Sequence, residues 1–530
     1  LYYDNSKKLE TTSGGVNVVG ALTVNGAALS AAPEVTAVAY GTIGANAAVI
    51  VRSDGKVSTI TGVSAGFTAQ ANTGAALDFS GGYSDNCHYL TADFNSANNK
   101  ICAAWYEDRG QQKLYGIVGT VSGTSITWGS KITIYNGQSS AGIGCCWAAT
   151  DKFIVAYDRT NTCKARYISV SGTSLTLNSG GEAGIIGYNG SRFNLCSTSN
   201  NGRVLMVYQN GQTGKVHFAQ PYINGTNVTV NDFGQLDGQA CQYAKVCYVA
   251  SKNTGIITYQ STGGTYNGRG VVTLVGTANG SYNVRNSNQA YLNGGHNNDI
   301  QFPIPVWDED KDRFLVQYAN DVSGNPRSCE IGQITGSGNS VIPVMSGTRL
   351  DCGGDEVSGD GNLYYDSYKK KIISAFRQTS DSIFNYREIT INSDLATVTV
   401  SGATAISATG GLWENSWDIA LAALNIGTAK WLFLYGLDNT PSSQNYVKKR
   451  LLDFGSTDMT TGNFVGFANA GYSDGNTATI SVTGNTSTQS GLTTGQLYYV
   501  TASGGLSTTE GDPSVKAGIA LSSTKLLIRQ

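Results

Sequence analysis

The chain has 530 residues, of which only 14% are charged, and carries 67 glycines, eight prolines and three methionines. That is long enough for several domains and poor in what long helices need, since each glycine costs a helix about 1 kcal/mol. A net charge of −2 with no extended basic block excludes binding by phosphate neutralisation, and no apolar run reaches the roughly 18 residues of a membrane span, so no nucleic-acid partner and no membrane insertion are expected.

The first 40 residues alternate weakly (Val16, Val18; Leu22, Val24) and are interrupted by Gly and Asn-Gly. Such a segment cannot bury a core alone, and we read residues 1–40 as a self-associating fibre shaft. Residues 41–62 contain Val51-Arg-Ser-Asp-Gly-Lys-Val-Ser-Thr, an Asp-Gly turn between short apolar pieces, and predict a small hairpin module.

A repeat occupies residues 63–460. Seven apolar strands, most led by Lys or Arg, end in Tyr106, Tyr157, Tyr208, Tyr259, Tyr318, Phe376 and Tyr435, at intervals of 51, 51, 51, 59, 58 and 59. A short strand a precedes each of these b strands, as in His88-Tyr89-Leu90-Thr91. A polar turn lies between a and b, such as Asp308 to Asp312. A strand c follows, and then, in most repeats, a strand d after a Gly-containing turn, as in Gly123-Thr-Ser-Ile-Thr and Gly172-Thr-Ser-Leu-Thr. Four antiparallel strands in about 50 residues describe a propeller blade. The expectation is therefore an all-β chain, a seven-bladed β-propeller with a fibre segment and small β modules at its flanks. The seventh repeat lacks a strand d, and we expect Ala75 to Phe79 to supply it against Tyr446 to Phe454, leaving no open edge.

Residues 461–530 form a C-terminal β module, in which Val500-Thr-Ala-Ser-Gly-Gly-Leu-Ser-Thr matches the hairpin after Val51. The string from Tyr2 to Gly26, YYDNSKKLETTSGGVNVVGALTVNG, resembles shaft sequences in tail fibres of marine, often cyanobacterial, phages. Tyr472-Ser-Asp-Gly, Ser490-Gly-Leu-Thr-Thr-Gly-Gln-Leu-Tyr-Tyr-Val and Ala517-Gly-Ile-Ala-Leu-Ser-Ser-Thr-Lys-Leu-Leu-Ile resemble the terminal module of the same group. The resemblance implies a virion protein, a homotrimer, joined to other tail or virion proteins through an N-terminal region and meeting a host surface glycan or protein. It implies assembly in the host cytoplasm and location in the virion. It supplies no catalytic motif. The chain begins at Leu, which we read as the ordered end of a longer polypeptide.

Recognition is expected on the longer b–c and d–a loops, which share one face of a propeller. They bring Tyr188, Arg192, Tyr266, Arg269, Tyr282, Tyr291, His296 and Trp413, residue types suited to stacking on sugars. The alternative is that these loops pack between subunits. Glycoside cleavage would need two carboxylates, and Glu107, Asp108, Asp158, Asp321, Asp381 and Asp438 all follow strand b. Their recurrence at one blade position reads as a solvated loop entry, so the expectation is no enzyme, no catalytic residue and no cofactor. A glycan-degrading tailspike and a purely structural fibre or decoration protein are the other classes kept open. Asp308-Glu-Asp-Lys-Asp312 is spaced like part of a calcium loop but lacks its Gly and distal Glu, so a hairpin turn and no metal are expected. Ten cysteines without a CxxC pair read mostly as buried thiols, with disulfides not excluded by spacing. Lys448-Lys449-Arg450 reads as a solvated strand face. Trp105, Trp128, Trp147 and Trp431 read as blade packing.

Overall fold

The structure is a computed structural model. It describes residues 33–62, 66–67 and 87–529, except 108–111, 123–124, 138–141, 160–161, 187–189, 199–201, 264–267, 279–280, 285–288, 293–299, 321–326, 337–340, 354–360, 379–382, 407–420, 428–429, 440–443, 454–456 and 512, with three short hairpins before residue 33. The chain is all-β. A single 3-10 turn, Ala250–Lys252, is the only helical element among the described residues. The fold divides into two compact units, residues 67–453 and residues 1–66 with 454–530.

In the larger unit, strands follow one another as meanders. The first sheet runs Cys87–Asn95, Lys100–Glu107, Lys113–Ser122, Ser125–Trp128, and the second runs Ile143–Ala149, Lys152–Arg159, Thr162–Ser171, Ser174–Leu177. The inner strands of the following sheets are Gly190–Ser197, Cys241–Val249, Ile300–Asp308, Asn362–Asp366 and Leu421–Gly427. Each inner strand packs on the next, and Leu421–Gly427 packs back on Cys87–Asn95. Seven sheets among the described residues thus form a closed ring, a β-propeller. The b strands lie between neighbouring sheets and are buried on both faces, with Tyr157, Tyr208, Tyr259, Tyr318, Tyr435, Trp105 and Trp431 fully inside.

The ring closes through Gly66–Phe67, which lies beside Gln444–Asp453 in the seventh sheet. The expected closing strand, Ala75 to Phe79, lies outside the described residues.

Inner strands are tied across blades by side chain to backbone bonds. Trp147 N–H donates to Asp93 Oδ2 (2.9 Å), Val246 N–H to Asn194 Oδ1 (2.8 Å) and Asn362 Nδ2 to the Leu421 carbonyl (2.6 Å). The a–b turns are Asx turns. Asp308 Oδ1 accepts from the Asp310 and Lys311 N–H groups, and Asp366 Oδ1 from those of Tyr368 and Lys369. Asn99, Asn253, Asp312 and Lys370, each directly before strand b, hold left-handed φ of 53, 49, 51 and 52°. The Asp308 to Asp312 run is therefore a hairpin turn.

One sequence reading changes, and one point that the sequence left open is decided. Arg450 is no solvated residue. It is half-buried and its Nη1 donates to the Ala405 (3.1 Å) and Ile406 carbonyls, fastening the seventh sheet to the sixth. Cys329 and Cys352, both buried, form a disulfide between strand c of the fifth sheet and the segment after Leu350–Asp351. Cys102, Cys145, Cys146, Cys163 and Cys241 are buried thiols outside the disulfide.

The smaller unit contains one pattern twice. One sheet has the order Glu34–Val38, Thr477–Ser481, Phe464–Ala468, Ala48–Val51, Val57–Thr59. The other has Thr486–Thr488, Lys525–Ile528, Lys516–Ala520, Leu497–Val500, Leu506–Ser507. Registers agree residue by residue. Val51 faces Val57 as Val500 faces Leu506, and Gly466 faces Val49 as Gly518 faces Tyr498. Gly466 (φ 154°) and Gly518 (φ 153°) sit at equivalent bulges where a Cβ would lie 2.0 Å from the carbonyl oxygen of Ser481 or Leu527. Only glycine fits there. Ala48, Phe467, Val500 and Leu526 meet in one shared core.

Candidate functional site

The inner strands enclose a cavity of about 990 Å³ along the ring axis. Four of them open with the same irregularity. The register breaks between His88 and Thr91, Ser191 and Asn194, Gln242 and Lys245, and Gln301 and Ile304, so two residues face one across the sheet. The first residue of each bulge is bulky yet left-handed: Tyr89 (φ 55°), Arg192 (φ 56°), Tyr243 (φ 57°) and Phe302 (φ 51°). A non-glycine residue there costs about 1–2 kcal/mol, and such strain concentrates at functional positions. A bulge also turns a side chain away from the alternation of its strand.

Three of these residues meet across successive blades. The Arg192 guanidinium lies over the Tyr243 ring, 4.1 Å from its centroid, and Tyr243 packs on Phe302 with ring centroids 4.1 Å apart. Neutral amides hold the layer. Arg192 Nη1 donates to Gln242 Oε1 (3.5 Å) and Gln242 Nε2 to Gln260 Oε1 (2.7 Å). Ser191 Oγ donates to Gln209 Oε1 (3.3 Å), and Gln209 Nε2 to the Cys241 carbonyl (2.8 Å). Gly142 lets the second blade press against this bulge, since a Cβ there would sit 2.9 Å from the Arg192 nitrogen.

The layers below follow from register. Thr91, Asn194, Lys245 and Ile304 come next, then Asp93, Cys196, Cys247 and Val306. Asp93 is half-buried, and desolvation holds its carboxyl above the usual 3.8 although Trp147 N–H and Ser197 Oγ donate to it. Burial pushes the Cys247 thiol up to about 12 and Cys196 well above its usual value, which disfavours the reactive thiolate at both. Glu309 and Asp312, both exposed, line the opposite end.

Of the residues picked from sequence, Arg192 stands in the bulge layer. Arg269 and Tyr291 come together in the fourth sheet at 6.0 Å, outside the cavity lining. Tyr282 belongs to the strand Ser281–Val284, paired opposite Thr277, rather than to a loop. Tyr188, Tyr266, His296 and Trp413 lie outside the described residues. Sequence reading missed Tyr243, Phe302, Gln209, Gln242 and Lys245. For Gln242, Tyr243 and Phe302 the signal was the repeated polar–bulky–apolar start of strand a: His88-Tyr89-Leu90, Ser191-Arg192-Phe193, Gln242-Tyr243-Ala244 and Gln301-Phe302-Pro303. Of the strand-b carboxylates, Asp158 is fully buried; nothing is described of the side chains of Glu107, Asp108, Asp321, Asp381 and Asp438. Among the described residues, no cluster of three or more His, Cys, Asp or Glu side chains could hold a metal, and no helix is long and apolar enough to cross a membrane.

No protein-family model and no curated protein matches the chain. Among solved structures it is similar to the BP39L lectin of Burkholderia pseudomallei, at 10% identity and TM-score 0.48, over 70% of this chain and 98% of that one. It is also similar to the periplasmic gluconolactonase of Pseudomonas aeruginosa (9% identity, TM-score 0.38, 75% of this chain and 99% of that one). A third is an alpha-L-arabinofuranosidase of Fusarium graminearum (9%, 0.38, 69% and 93%). The expectation that the chain is no enzyme is corrected: the structures it is similar to include a gluconolactonase and an alpha-L-arabinofuranosidase.

Proposed function

We propose that this chain is the receptor-binding part of a virus tail fibre and that its propeller binds a host surface saccharide at the bulged end of the axial cavity. The carrying observation is the bulge layer. Strained Arg192 and Tyr243, backed by Phe302, combine a fixed cation, an aromatic support and neutral amides at one mouth of a preformed cavity. A preformed cavity with a few fixed polar groups at its mouth suits a saccharide, whose hydroxyls those groups can meet. The fibre assignment rests on the resemblance of the Tyr2 to Gly26 string and of the Tyr472 and Ser490 motifs.

Purified protein should compete with virus particles for adsorption to host cells, run beside a reducing-end assay on host polysaccharide. Saturable competition supports the reading. Absence of competition leaves a structural fibre or decoration protein, and release of oligosaccharides makes the chain a depolymerase.

A further inference from the structure

Charge along the axial cavity is graded. At the bulged end Arg192 lines it, and Lys245 lies one layer further in. Among the described lining residues, the carboxylates are Asp93 in the layer below and Glu309 and Asp312 at the opposite end. Among the described residues lining the mouth layer are the cation of Arg192 and the neutral polar groups of Ser191 and Gln209, with the Tyr243 and Phe302 rings buried behind the guanidinium. A guanidinium can donate to a neutral hydroxyl, but its bonds are strongest when the acceptor carries a negative charge. Arg192 is held by a strained bulge and seated on a ring that itself rests on Phe302. A guanidinium positioned in advance is suited to a planar anionic group, which it meets with charge-assisted bonds.

We infer that the saccharide taken at this mouth is acidic, with a carboxylate or sulfate group placed at Arg192 and, further in, toward Lys245. This rests on the saccharide-binding reading above and narrows its ligand class. Entry from this side presents the anion to the cations first. Entry from the other end meets the exposed Glu309 carboxylate, which repels it, and Asp312, whose charge is paired with Lys252.

The test is calorimetric binding of the full chain to maltotetraose (neutral), tetragalacturonic acid (carboxylated) and a carrageenan tetrasaccharide (sulfated). Arg192→Asn keeps the bulge, because Asn accepts left-handed backbone readily. An unchanged melting temperature for that variant certifies its fold. At least one acidic tetrasaccharide should bind about tenfold or more tighter than maltotetraose, as one charge-assisted contact allows. The preference should disappear in Arg192→Asn, return in part in Arg192→Lys and persist in Glu309→Gln at the far end. The carboxylated and sulfated arms decide which anion is preferred. Equal binding of maltotetraose, or selectivity unchanged in Arg192→Asn, overturns the acidic assignment and leaves saccharide binding standing. Failure of every tetrasaccharide to bind overturns the assignment outright. If adsorption competition fails too, the receptor reading goes with it.

Discussion

Arg192 and Asp93 show how little of a site a residue type declares. Arg192 could be named from sequence as a polar residue near a loop, but its partner Tyr243 could not. A bulge changes which face a side chain takes, and that change comes from pairing with the neighbouring strand, which local periodicity does not carry. Asp93 is similar: nothing in Thr91-Ala92-Asp93-Phe94 says that its carboxyl will be desolvated by inner strands from distant parts of the chain. Its folded pKa is raised, so the native state holds its proton more tightly than the unfolded chain does. Stability from this group is then greatest at low pH and falls as pH rises from about 3.8 through the folded value. Asp93→Asn mimics the protonated acid. Melting temperatures from pH 4 to 8 should show variant and native protein close together at the acid end, with the variant gaining relative stability as pH rises. A gap that is constant with pH would refute the assignment.

At the scale of elements, blade strands were legible because two-sided burial writes nearly continuous apolar runs, as in the strands ending at Tyr157 and Tyr318. The Asx turns were legible as well, from Asp308 and Asp366. What joins one blade to the next was not, since it depends on residues more than fifty positions apart. Asp366 illustrates this: besides capping its own turn it accepts from Trp431 Nε1 of the following sheet at 2.5 Å, with both residues fully buried. Asp366→Ala strands the indole N–H and two turn amides, and should lower stability by about 2–4 kcal/mol in equilibrium denaturation. The ion pairs Lys252–Asp312 and Lys370–Asp310, each 2.8 Å and half-exposed, also link neighbouring turns but contribute at most about 1 kcal/mol each. Loss of Asp366 comparable to loss of Asp310 would mean that the buried tie does not hold these blades together.

At the scale of the whole molecule, the matching hairpins after Val51 and Val500 were visible in sequence, but not what they meant. In the second module Leu506–Ser507 connects to Lys516–Ala520 through eight residues. In the first, the equivalent connection between Val57–Thr59 and Phe464–Ala468 carries the entire ring. The propeller is therefore an insertion into one copy of a duplicated module, and the insertion has a closed neck. Gly62 bridges Thr457, and the Thr61 N–H and hydroxyl donate to Asp458 Oδ1 (2.7 Å) and Oδ2 (2.5 Å). The Asp458 N–H returns a bond to the Thr61 carbonyl at 3.1 Å. Ends held this close make an insertion thermodynamically separable, because the host loop needs only a short closure. Replacing residues 63–456 with a two-residue Asn-Gly turn should leave residues 33–62 and 457–530 folded as a soluble β unit. That unit should melt cooperatively, with the slow amide exchange of a packed core at Val49, Phe467, Val500 and Leu526. The Asn-Gly pair suits the left-handed backbone that a two-residue hairpin requires. An excised protein that exchanges all its amides at the unfolded rate would show that the duplicated module depends on the ring for its stability.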